Sequence, residues 1–172
     1  MAEEAKVDSQ SGERAAMDRA WTLIADVLAG AARVRECGET YLPRYEDESG
    51  FEYNRRLAAA PWRPEFEDAL RGLVAKPFGR DVALKDGAPQ SARDLFEDLD
   101  GRGNNATVFA HELFARGVSR GFHAVLVDYP SLNPRATRAE ERAAGARPFF
   151  VHVPAESFLA LYTRREGGRE IV

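Results

Sequence analysis

Apolar positions at alternating spacings of four and three mark the start of the chain. Met17, Trp21, Ile24, Leu28, Ala31 and Val34 fall on one side of a helix, which predicts one long amphipathic helix from Glu13 to Cys37. Gly30 lies inside it and weakens it by about 1 kcal/mol relative to alanine. Gly38 supplies the stop. Tyr41-Leu42-Pro43 then leaves in an extended form, because a residue before proline avoids helical angles. An acidic turn over 45–50 ends in Ser49-Gly50 and starts a second helix carrying Tyr53, Arg56 and Leu57, broken by Pro61-Trp62-Arg63-Pro64. A third helix from Pro64 to about Lys76 has Phe66, Leu70, Leu73 and Val74 on one face, with proline at its first turn. Pro77 closes it, a turn-rich stretch follows, and Ser91–Leu99 forms a short acidic helix or turn.

The rest is organised around 104–130. Asn104 and Asn105 offer side-chain oxygens to the free amides of a helix start. Phe109, Ala110, Leu113, Phe114, Gly117 and Val118 recur at helical spacing, Arg116 and Arg120 suit the carbonyl end, and Gly121 is placed for a left-handed cap. Phe122–Val127 is an apolar run of strand length, closed by the turn at Asp128-Tyr129-Pro130. So little alternation predicts a strand covered on both faces.

Residues 131–148 carry almost no large apolar side chain, so this loop is expected to be the most mobile internal stretch, with room for a short helix over 136–144. Phe149–Val153 is a second strand. By alternation, Phe150 and His152 share one of its faces. A turn at Pro154–Ser157 leads to a third strand over Phe158–Arg164. Glu166-Gly167-Gly168 then signals a hairpin whose return begins at Arg169. The expected fold class is α+β: N-terminal helices, a central helix and a small, mostly antiparallel sheet. Residues 1–12 form a polar, mobile tail. Residues 13–172 form a single domain, helical over 13–99 and helix plus sheet over 100–172. The return strand has only four residues, so the chain is expected to be the N-terminal part of a longer protein.

Charge changes this picture little. A net charge of −4 and a pI near 5.5 argue against a stand-alone, sequence-specific nucleic-acid binder. Arginine dominates the basic residues, with lysine only at Lys6, Lys76 and Lys85. Cys37 is the one cysteine, which rules out an internal disulfide. No apolar run approaches the roughly 20 residues needed to span a bilayer.

Candidate chemistry fails on spacing or context. After His111-Glu112 the zinc-protease pattern needs a second histidine where Ala115 stands. Gly101-Arg102-Gly103-Asn104-Asn105-Ala106 resembles a dinucleotide loop but follows an acidic segment rather than a buried strand. In Asp98-Leu99-Asp100-Gly101 the glycine comes too early for a calcium loop. His123, Asp128 and His152 could converge across neighbouring strands as a ligand-binding or acid–base group, but no nucleophile accompanies them. Asp128 has a simpler role capping the turn at Tyr129-Pro130. The sequence thus predicts no enzyme activity, cofactor or tightly bound metal.

The order of parts resembles the phage portal proteins. The residues that carry the likeness are Tyr41-Leu42-Pro43, the helix with Tyr53 and Arg56, the Lys76-Pro77 tail, and the strand ending in Asp128-Tyr129-Pro130. The resemblance implies the wing region of a head–tail connector, a virion structural protein made in the host cytoplasm and assembled into the virion. It further implies self-association into a ring at full length, DNA packaging and ejection at the capsid vertex, and capsid, terminase and tail proteins as partners. The alternative is a small ligand-binding or enzyme domain with a site near Asp128, His123 and His152.

Overall fold

The computed structural model describes residues 10–130, 137–159, 164–166 and 169–171. The fold is α+β, with seven α-helices and two separate two-stranded antiparallel sheets among these residues. Contacts divide them into two compact units. One comprises the described residues up to Arg71 together with those from Phe158 onward; the other is Gly72–Ser157. The division passes through the helix Glu65–Ala75, whereas the sequence alone places its internal boundary at 99/100.

In the first unit, α1 spans Gly12–Leu28 and is capped by Ser11, whose hydroxyl accepts from the Arg14 amide. The helix expected to run unbroken to Cys37 does not. Gly30 sits at φ 86°, a conformation that ends one helix and opens α2, Ala31–Glu36. Glycine alone reaches that region without strain, so the residue read as a weak point is a joint. A short 3-10 turn, Gly38–Thr40, leads out. α3, Gly50–Ala59, starts with a reciprocal capping box: Ser49 accepts from the Glu52 amide, and Glu52 accepts from the Ser49 amide. α4 spans Glu65–Ala75. Trp21 and Tyr53 form the buried apolar centre of this unit. The expected strand over Phe158–Arg164 is not found at Phe158 and Leu159, which lie outside any strand; residues 160–163 lie outside the described residues. The hairpin is present later, with β3 (Arg164–Glu166) pairing antiparallel to β4 (Arg169–Ile171).

In the second unit, α5 (Gln90–Glu97) precedes α6 (Ala106–Arg120). α6 has the ends its sequence dictates. Asn105 accepts from the Val108 amide, and Gly121 takes the left-handed cap at φ 75°. β1, Ala124–Asp128, pairs antiparallel with β2, Phe149–Val153, so that Val125 faces His152 and Asp128 faces Phe149. α7 is the short helix Arg138–Ala143, inside the span expected for it. The expected mobility of 131–148 falls partly on 131–136, outside the described residues.

β1 corrects another expectation. It lacks cover on both faces: Leu126 and Val127 are 52% and 58% exposed. Apolar character in a strand records what it can bury against, and nothing among the described residues covers these two. The apolar core is correspondingly thin. Val74, Ala106, Phe109 and Ala155 are buried in this unit, and no large side chain among the described residues is completely sealed.

Candidate functional site

Helical spacing aligns Phe109, Glu112 and Arg116 on one face of α6, and strand alternation points Phe150 and His152 of β2 the same way. The two sets meet. His152 stacks flat on Phe109, with centroids 4.0 Å apart and planes at 14°, and Phe150 tilts against the same ring at 6.1 Å. His123, between the Gly121 cap and β1, brings Nε2 to 3.1 Å from His152 Nδ1. The other nitrogen of His152, Nε2, lies 3.6 Å from Glu112 Oε2. Glu112 also accepts from Arg116 one turn later, through Nε at 3.1 Å and through Nη2. The result is a row of ionisable groups, Arg116–Glu112–His152–His123, crossing from helix to strand to the entry of β1.

The electrostatics follow from this order. The Arg116 guanidinium holds the Glu112 carboxyl below the usual range despite some burial. Burial pushes the His123 imidazole down, with His152 and Arg116 adding to the effect against Glu112 and Glu156. Burial also lowers His152, helped by Arg116 and opposed by Glu112 and Asp100. Both rings are therefore held neutral, and one N–H between them satisfies the contact.

A cavity of about 320 Å³ lies beside this row, lined by Asp100, Arg102, Asn104, Glu112, Arg116 and the 149–152 strand. Its floor is the loop before α6. Burial acts to raise the Asp100 pKa, but the Asn104 amide group and the backbone amides of Arg102 and Asn104 outweigh it and hold the carboxyl low. Asp98 accepts from the Gly103 amide and pairs with Arg147. These carboxylates face their own loop, whose glycines Gly101 and Gly103 have φ of 72° and 93°. Leu99 donates to the Asn104 carbonyl at 2.8 Å and accepts from the Phe150 amide at 2.9 Å, which fastens the loop to β2. Among the described residues, no three His, Cys, Asp or Glu side chains are arranged to hold a metal ion.

Of the three residues read as able to converge, His123 and His152 do meet, while Asp128 stands apart. It lies three residues along β1 from Val125, the partner of His152, or about 10 Å. Asp128 Oδ1 accepts from the Tyr129 amide at 2.7 Å, the turn-capping role. Tyr129 reaches the Ala146 carbonyl at 3.5 Å, and Pro130 borders a hollow with Asp98, Arg102 and Arg147. His111 is exposed, with its ring against Phe78 at 5.2 Å. Lys76 and Pro77 are exposed after α4.

The other positions that carry the portal likeness fall together in the first unit. The Tyr41 hydroxyl donates to Asp26 Oδ2 at 2.7 Å. Arg56 donates to the Pro43 carbonyl at 2.9 Å and grips both Glu48 oxygens at 2.7 and 2.8 Å. The same guanidinium lies over the rings of Tyr45 and Tyr53 at 4.4 and 5.5 Å. Leu42 lines a small groove of about 150 Å³ with Val34, Leu57 and Trp62.

Sequence reasoning missed two members of these clusters. Glu112 was tied to His111, although its spacing of three from Phe109 already placed it on the His152 side. Asp26 gave no local signal, since its partners are Arg33, Cys37 and Tyr41. Among the described residues no helix is long and apolar enough to cross a membrane. The chain matches no known protein family and no curated protein.

Proposed function

We propose that the chain is a virion structural protein of the phage portal type, contributing wing elements to the ring through which DNA is packaged and ejected at the capsid vertex. The observation that carries this reading is β1. It is an apolar strand with Leu126 and Val127 more than half exposed, followed by Tyr129 at 45%. Among the described residues β1 and β2 form a two-stranded ribbon, and such a ribbon is marginal unless it lies on something further. The same unit leaves Val108, Phe114 and Val118 of α6 exposed at 49%, 39% and 40%. Surfaces of this kind are covered in proteins that act in assemblies.

The joined motif positions support the same reading. Tyr41, Pro43, Tyr53 and Arg56 are spent on fixing the shape of the first unit, as in a scaffold, and leave no reactive group facing a substrate. The partners, namely capsid, terminase and tail proteins, and the host cytoplasm as the place of synthesis, come from the family likeness. The second reading, a small ligand-binding or enzyme domain, draws on the contact between His123 and His152. It is weakened by the distance to Asp128 and by the pairing of Glu112 with Arg116, which leaves His152 Nε2 buried without a hydrogen-bond partner among the described residues.

Sedimentation of the full chain across a concentration series, beside the double variant Leu126→Asp/Val127→Asp, tests the assembly reading. Small oligomers that the variant abolishes are expected. A chain monomeric throughout and indifferent to the variant overturns the reading. The flanking genes test the portal identity: a large terminase subunit and a capsid protein are expected beside this coding sequence, and their absence removes it.

A further inference from the structure

We propose that the His123–His152 contact, backed by Glu112, is a proton-operated latch that holds the β1–β2 ribbon on α6 at neutral pH and releases it on acidification. Besides this contact, the Phe150 amide donates to the Leu99 carbonyl at 2.9 Å, and Arg120 of α6 binds Glu156 just after β2. Among the described residues the ribbon is two strands wide, and the last three residues of β1 are exposed. Its aromatic contact with α6 is the Phe150 and His152 pair seated on Phe109. His152 is the member of that pair able to change charge, and it lies one residue before the end of β2.

With both rings neutral, one nitrogen donates and the other accepts across 3.1 Å. A first proton makes His152 a donor on both nitrogens, toward His123 on one side and Glu112 on the other. A second proton leaves two donors facing each other and no acceptor between them, with two like charges at contact distance, so the contact must open. The surroundings do not offset this charge. Facing the pair are Glu112 and Arg116 from α6, Asp100 from the preceding loop and Glu156 from the turn after β2. Glu112 is already bound by Arg116, and Asp100 by Asn104 and its own loop amides. Arg120 binds Glu156 at 2.5 Å. Each nearby carboxylate thus has a competing partner, and burial disfavours the charged rings. The sign follows. Both imidazoles are lowered below their usual value of 6.5, so the attachment is complete above that pH and is lost as pH falls through the lowered values.

Hydrogen exchange of the full chain, corrected for the intrinsic pH dependence of the amides, reads the latch directly. Protection across 124–128 and 149–153 is expected to fall between about pH 7.5 and 5. The fall is up to about tenfold for each unit by which a folded ring lies below the free one. His152→Phe keeps a flat ring on Phe109 and takes no proton, so its protection should fall less than the wild type's, by no more than the titration of His123 accounts for. Equal protection in the wild type at both pH values overturns the proposal, as does an undiminished fall in the variant. Should His152→Phe fail to fold, nitrogen-15 spectra of the wild-type rings decide. Loss of the shared proton between His123 Nε2 and His152 Nδ1 should coincide with the loss of protection. Rings that titrate without any change in the 124–128 amides overturn the latch.

Discussion

The hydroxyl of Tyr41 lies 2.7 Å from Oδ2 of Asp26, a carboxylate only 6% exposed. Arg33 Nε donates to the other oxygen, Oδ1, at 2.7 Å, and the Cys37 thiol reaches Oδ2 at 3.5 Å. Three successive segments, α1, α2 and the chain after Gly38, are thereby pinned to one carboxylate. Hydrogen bonds from Tyr41 and then Arg33 hold Asp26 below the usual carboxylate range, against the effect of burial. The same bond, with burial, pushes Tyr41 up to about 12.

Asp26 should therefore govern part of the acid limit of stability. Its folded pKa lies below the free value of 3.8, so its contribution is complete above that pH and is lost as pH falls through the lowered value. Asp26→Asn should flatten this part of a Tm-against-pH curve. Tyr41→Phe should lower Tm by several degrees at neutral pH, and by less in the Asp26→Asn background. Strict additivity of the two substitutions would show that the hydroxyl and the carboxylate are uncoupled.

Cys37 should be a slow nucleophile. Burial first and the Asp26 hydrogen bond second push its thiol up, so little thiolate is present at neutral pH. Alkylation by iodoacetamide at about pH 7.5 should run well below the rate of a free thiol and speed up on unfolding. A rate equal to the unfolded chain's under native conditions contradicts the Asp26 contact.

Gly30 is a position where a methyl group is poorly tolerated on conformational grounds. No neighbouring atom lies within 4 Å of where a Cβ would stand, so any cost is backbone strain at φ 86°. Gly30→Ala should destabilise by about 1–3 kcal/mol, although alanine is the better helix former. A stability gain measured by urea unfolding would mean that α1 and α2 can merge.

Phe109 links packing to the ionisable row. It is 4% exposed and carries both Phe150 and His152. Phe109→Ala should cost about 3–5 kcal/mol and free the His152 ring, which then titrates closer to an ordinary imidazole. An unchanged His152 titration in a folded variant would mean that the ring is buried by something other than Phe109.

The parts legible in the sequence are those set by local codes. The Asn105 side chain and the freedom of Gly121 at positive φ bound α6, Ser49 and Glu52 start α3, and the alternation of β2 put His152 beside Phe150. Gly30 was misread because a glycine within a helical pattern is compatible with a weak helix or a break, and only its φ distinguishes them. β1 was misread because an apolar run states a preference for burial without saying what buries it. The Asp26 cluster was invisible, since the chain must first fold back at Gly30 and Gly38 before its members can meet.

That fold-back has a consequence for which changes of chain length the protein can absorb. Along one continuous helix, one added residue turns everything after it by about 100°. Between Leu28 and Ala31 an insertion would likewise swing α2 about its axis, taking Arg33 off Asp26 and shifting the approach of Tyr41. The stretch around Lys85 and Asp86 is different: it is exposed and turn-like, and the Val82 amide ties it to Thr107 Oγ1 at 3.0 Å. The chain between α1 and Tyr41 is therefore a fixed ruler, and the connection ahead of α5 is slack in which residues can be gained or lost without disturbing either cluster.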